Sequence, residues 1–205
     1  MKKDTMLYTV LFTFIICMIF VFFLALANEL TKDRVAFNRR HSERSAVLAA
    51  MGLPIEDPTQ LDAQYDKLVD TRGKGNAELY HATQDGRDIF AKRFSGAGLW
   101  GTITGVIAVD SAVDRIVGLS IVSHNETPGL GGRIDEPWFK NQFAGEIIKD
   151  KGISIRSGTG KGDKDTENGE LDAVTGASRT SQSMEAIVNA EIVNLRRLRD
   201  EGDLK

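Results

Sequence analysis

Three hydroxyl side chains, Thr175, Ser178 and Thr180, flank the small residues Gly176 and Ala177 in the stretch DAVTGASRTS, Asp172–Ser181. The stretch runs into an amphipathic segment, so it sits where a helix is predicted to start. Backbone N–H groups there lack intrahelical partners, and the helix dipole favours an anion. Glycine and alanine let a bulky phosphate approach the backbone, and the hydroxyls offer hydrogen bonds to its oxygens. Ser and Thr are equally favoured as plain helix N-caps. Taken alone, the stretch fits a phosphate or phosphoester site and a simple cap equally well.

Other chemistry-bearing patterns are weaker. GTGKGDK, Gly158–Lys164, lacks the spacing of a phosphate loop and the strand–helix context one needs. DKDTENGE, Asp163–Glu170, alternates acids like a calcium loop, but its glycine, Gly169, falls one place late. Asn125–Thr127 fits a glycosylation sequon by pattern. His124 beside Glu126 offers an acid–base pair, against the commoner structural role of a lone histidine at a strand end.

The elements that must position these residues follow from periodicity. Asp-Gly at Asp85–Gly86 predicts a hairpin between two short strands. The β-branched runs Gly98–Asp110 and Asp114–Glu126, joined by Ser111–Val113, predict an antiparallel pair. The segment Thr127–Pro137, with three glycines and two prolines, is a shaped loop directly off a strand end. Helical spacing is read over Trp138–Asp150 and over about Ser181–Asp200, with a short strand, ISIRS, between them. Strands in a block with helices before and after predict an α+β fold, an antiparallel sheet flanked by helices.

The N-terminus predicts one transmembrane helix. Met6–Ala27 holds 22 residues without a charge, about 33 Å of helix and enough for a bilayer core. A cleaved signal peptide is the competing reading, because Ala25–Ala27 is a small-residue pattern. Lys2 and Lys3 lie on one side, with Lys32, Arg34, Arg39 and Arg40 on the other, so charge leaves the orientation open. The expected division is an anchor over residues 1–28, a juxtamembrane helix and linker over 29–75, and a domain over 76–205. Across 205 residues, 26 Lys and Arg against 29 Asp and Glu give a net charge of −3, unlike the basic face of a nucleic-acid binder. The one cysteine, Cys17, lies inside the apolar run. The rest of the chain is therefore without disulfides or thiolate metal sites, and no metal centre is expected.

DAVTGAS followed by RTS resembles the flavinylation motif of the FMN-binding domain, and HNETPGLGGRI resembles a second signature of that family. With GLWG upstream and a single anchor, the chain is similar to small flavoproteins of two ion-pumping redox complexes. These are the G subunit of the Rnf complex and the C subunit of the sodium-pumping NADH:quinone oxidoreductase, Nqr. SHNETPGLG and the modest length place the Rnf type first, and GLWGT and GLGG support the Nqr type as the alternative.

The resemblance implies FMN joined through its phosphate to Ser178 by a flavin transferase. Thr180 is the second candidate acceptor, since the family usually carries threonine where Ser178 stands. It implies that Thr175, Gly176 and Ala177 shape the site and that Asp172 serves recognition by the transferase or its metal. Glu126, Thr127, Gly129, Leu130 and Gly131, with Leu99 and Trp100, are implied as walls for the isoalloxazine ring, with core packing the alternative role for Trp100 and Leu130. The expected role is an electron relay inside a Na⁺- or H⁺-exporting complex, with membrane subunits as partners and no independent catalytic residue. The domain is expected on the periplasmic or outer side of the cytoplasmic membrane. Rivals are a stand-alone flavinylated extracytosolic carrier and a module that holds a phosphate-bearing ligand reversibly.

Overall fold

The computed structural model describes residues 6–55, 57–73 and 78–204. Lys2, Lys3 and the boundary drawn between residues 75 and 76 lie outside them. Five strands form one antiparallel sheet in sequence order: β1 Asp70–Arg72, β2 Leu79–Gln84, β3 Arg87–Ala97, β4 Thr102–Asp110 and β5 Ile116–Ser123. The Asp85–Gly86 turn joins β2 to β3, and β3 pairs with β4 from Ile89↔Asp110 to Ala97↔Thr102.

Both faces of this sheet are covered, which explains why β4 is apolar along nearly its whole length. Phe90, Phe94, Ile103 and Ile107 point to one face, and Ile89, Ala91, Val106 and Ala108 to the other. The first face packs on helix α4, Ser178–Glu201, through Met184, Val188, Ile192 and Leu195. The second packs on the end of helix α1, Met6–Ala50, and on helix α2, Leu61–Leu68, through Val47, Leu48, Met51, Leu61 and Tyr65. Residues read from sequence as part of a linker thus supply one of two cores. Arg44 fixes this layer, donating to Asp62 Oδ1 at 2.9 Å and lying 4.7 Å over the Tyr65 ring.

Helical spacing over Trp138–Asp150 does not become one helix. Helix α3 covers only Pro137–Asn141; Phe139, Phe143 and Ile148 still reach the core, but from successive turns. After α3, strands β6 Ser154–Arg156 and β7 Glu170–Asp172 make a small parallel pair. Side chains of α4 secure β6: Ile153 N–H donates to Asn189 Oδ1 and Ile155 N–H to Glu185 Oε2.

The chain divides into two compact units, residues 1–41 and 42–205. In the first, α1 is long and apolar enough, by length and composition, to cross a membrane. Apolar side chains along that stretch, among them Phe12, Phe20, Phe22 and Phe23, are exposed.

Candidate functional site

β7 delivers the chain to a tight turn and then to α4. Val174 and Ala177 are buried in the core at either end of that turn, while Thr175 and Gly176 are exposed. Ala177 N–H donates to Val174 O at 3.0 Å, and Gly176 has φ +80°, a conformation glycine adopts without the Cβ penalty. Ser181 locks the turn from beneath. Its hydroxyl accepts from Val174 N–H at 3.0 Å and donates to Ala177 O at 3.1 Å. Gln142 holds the entry, its amide accepting from Asp172 N–H at 2.7 Å and donating to Asp172 O at 3.0 Å.

α4 begins at Ser178, three residues before the start read from the sequence, so that serine is itself on the first turn. The N-cap is Ala177, which has no side-chain acceptor to offer the first-turn N–H groups. A 24-residue helix therefore presents an uncapped positive end beside an exposed hydroxyl.

The hydroxyls of the stretch sort sharply by exposure. Ser178 and Thr175 face solvent. Thr180 is 1 % exposed, and its hydroxyl donates to Glu126 Oε2 at 2.5 Å. A buried, engaged hydroxyl is poorly placed to accept a phosphoryl group from another protein.

Glu126 is 4 % exposed, so it is no solvent-facing wall. Its Oε1 accepts from Leu99 N–H at 2.8 Å and Trp100 N–H at 3.0 Å. The side chains of Leu99, Trp100 and Leu130 are the exposed ones, and a Cβ placed on Gly176 would lie 3.6 Å from Leu130 Cδ2. The loop after β5 is closed by Leu130 and Gly132 N–H groups donating to Thr127 O at 3.1 and 2.9 Å. That leaves the Thr127 side chain and Gly129 on the outer rim. The loops from 98, from 126 and from 174 thus meet at one surface. His124 and Glu126 do not form an acid–base pair: His124 Nδ1 accepts from the Glu126 amide, and the carboxylate is used elsewhere.

Asp172 is also engaged within the chain. Its Oδ2 accepts from Thr159 Oγ1 at 2.9 Å and Gly160 N–H at 3.1 Å, drawing the loop after β6 toward the turn. In the same loop Asp163 accepts from Asp165 N–H at 2.9 Å and Asn168 Nδ2 at 2.7 Å; the Asn168 bond holds its carboxyl below the usual range. Glu146, 1 % exposed, accepts from Gly169 N–H at 2.7 Å. Burial pushes its carboxyl up to about 7, with the charges of Asp163, Asp165 and Glu167 adding to the rise.

Sequence reading misses Gln142, Thr159 and Ser181 as supports of this site. Ser181 closes the hydroxyl-rich stretch itself; the contacts of the other two are 30 and 13 residues away in the chain.

Residues 98–192 match the family profile described as FMN-binding domain. The chain is 27% identical over 165 residues to the C subunit of the Na⁺-translocating NADH-quinone reductase of Yersinia pestis, covering 78% of this chain and 58% of that protein. It is 28% identical over 116 residues to the protein of the same name from Pseudomonas aeruginosa, covering 54% of this chain and 44% of that protein. The chain spans about half the length of these curated relatives. The fold is shared with two crystal structures. One is NqrC of Shewanella oneidensis, with TM-score 0.70, 19% identity and coverage of 81% of this chain and 99% of that one. The other is the C subunit of the Na⁺-translocating NADH-quinone reductase from Parabacteroides distasonis, with TM-score 0.65, 22% identity and coverage of 80% and 96%.

Proposed function

We propose, on the premise that residues 98–192 form an FMN-binding domain, that this chain is the flavin-bearing C subunit of an Nqr-type sodium-translocating complex. Its FMN is linked through phosphate to the Ser178 hydroxyl. The names of the relatives favour the Nqr type over the Rnf type that the sequence motifs put first. The observation that carries the linkage is the sorting of hydroxyls: Ser178 exposed at an uncapped helix start, Thr180 buried against Glu126.

The residues present suit this group. First-turn N–H groups and the dipole of α4 stabilise the phosphate charge. Gly176 keeps the turn low enough for close approach, and Leu130, Leu99 and Trp100 offer apolar area beside it. With Leu99, Trp100 and Leu130 exposed, a covalent tether would hold the cofactor where enclosure does not. Bound FMN supplies electron transfer at a ring left free by a phosphate linkage. The chain's own task is to hold that ring at an exposed face, where a redox partner reaches it. No general acid or base is needed for that task.

Residues 6–27 anchor the chain in the cytoplasmic membrane, with the domain on the outer side. Its partners are the other membrane proteins of the complex and, for maturation, a flavin transferase. The test is co-expression with a flavin transferase followed by in-gel flavin fluorescence after full denaturation. The wild-type band fluoresces and Ser178→Ala is dark. Flavin released by denaturant would return the site to the reversible phosphate-ligand reading, and a fluorescent Ser178→Ala band would overturn the assignment.

A further inference from the structure

Glu126 is a buried carboxylate whose hydrogen-bond partners are two amides and one hydroxyl, all uncharged. Burying a carboxylate against neutral donors is costly, and such a group persists where the surrounding structure needs it. Two glycines are shaped around it. A Cβ on Gly98 would lie 2.5 Å from Glu126 Oε1, and one on Gly131 would lie 2.8 Å from Oε2 and 2.6 Å from Thr180 Oγ1. Both are closer than real Cβ contacts permit. Room for this carboxylate is thus one constraint shared by both glycines, beside Gly101 O and Ile103 Cδ1, each 2.9 Å from a Cβ at the Gly98 position, and Thr180 Oγ1 at the Gly131 position.

The three segments it joins are far apart in sequence. Oε1 reaches 27 and 26 residues back to Leu99 and Trp100, and Oε2 reaches 54 residues forward to Thr180. Apart from its side-chain bonds, the Leu99–Trp100 tip is closed by Gly98 N–H donating to Gly101 O at 2.7 Å. The Leu99 and Trp100 side chains themselves are 49% and 69% exposed, so packing contributes little to their position.

We infer that Glu126 is a positioning residue. Its carboxylate clamps the Leu99–Trp100 tip to the first turn of α4, and so sets the two exposed apolar side chains beside the attachment turn. That these side chains face FMN rests on the function proposed above; the clamp itself does not. Both oxygens accept, so a glutamine can keep the two amide bonds through its carbonyl oxygen and donate its amide to Thr180 Oγ1.

Amide hydrogen exchange on the full-length chain in detergent, without flavin, reads the clamp directly. In Glu126→Ala, exchange of the Leu99 and Trp100 amides accelerates about tenfold or more, as the loss of hydrogen bonds to a buried acceptor implies. Glu126→Gln restores slow exchange. Gly131→Ala leaves the carboxylate chemically intact but displaces it, and raises exchange at the same two amides. Exchange in Glu126→Ala or Gly131→Ala equal to wild type overturns the clamp, as does Glu126→Gln exchanging as fast as Glu126→Ala. Should Glu126→Ala fail to fold, Gly131→Ala and Glu126→Gln decide the matter. A wild-type chain that takes no flavin would remove the proposed function while leaving these exchange results to stand.

Discussion

Ser178 and Thr180 stand two residues apart, yet the helix turns one to solvent and the other to a buried acid. Which hydroxyl is accessible is thus set by the face of α4 that it occupies. If FMN is joined at Ser178 as proposed, Ser178→Thr keeps a hydroxyl on the same face and is expected to retain the denaturation-resistant flavin; intact mass checks it. The turn depends equally on backbone geometry. Gly176→Ala meets only ordinary contact with Leu130, so its cost comes from φ +80°. It should destabilise the fold by roughly 1–2 kcal/mol in a denaturant titration. Glu126 adds a charge to this neighbourhood through its bond to Thr180. If FMN is attached as proposed, removing that charge by Glu126→Gln should raise the flavin's midpoint potential, because a nearby negative charge disfavours reduction. Spectroelectrochemistry reads that shift, and an unchanged or lowered potential would contradict it.

At the scale of elements, the sheet was legible because its signals are local. The Asp-Gly turn between β2 and β3 and the β-branched runs of β4 and β5 each lie within one short window. α2 and β1 were not legible: β1 is three residues, all exposed, and is a strand only because β2 pairs with it. Trp138–Asp150 shows the opposite failure. Its apolar spacing suits a helix, but the chain bends after Asn141 and passes Gly145 at φ +82° to bring Glu146 beneath the loop before β7. Ser178 was readable from its neighbours, whereas the roles of Glu126 and Gln142 depend on contacts that no local pattern encodes. That loop gives a pH prediction. Glu146 titrates at about 7 when folded against an ordinary 4.5, so the folded chain binds more protons between those values. Stability contributed here therefore falls as pH rises through that window. Urea midpoints at pH 5 and pH 8 should show a loss in wild type that is smaller in Glu146→Gln; equal losses would contradict the assignment. In the main core, Phe94→Ala removes a ring that is 2% exposed and should cost about 3–5 kcal/mol.

At the scale of the whole molecule, the chain combines one long apolar helix with a domain built on two cores. The second core is built by Val47, Leu48, Met51, Leu61 and Tyr65 against the sheet, all of them before residue 76. A chain begun at Ser42 should therefore stay soluble and unfold in one cooperative step. A chain begun at residue 76 should expose that sheet face and aggregate, as light scattering would show. The proposed carrier role rests above all on where the flavin is joined. The most direct measurement is fragmentation mass spectrometry of the peptide containing Thr175–Ser181, from protein matured with a flavin transferase. The account predicts FMN, joined as a phosphoester, on Ser178 and on no other hydroxyl of that peptide. FMN found on Thr180 or Thr175, or an unmodified peptide, would contradict it.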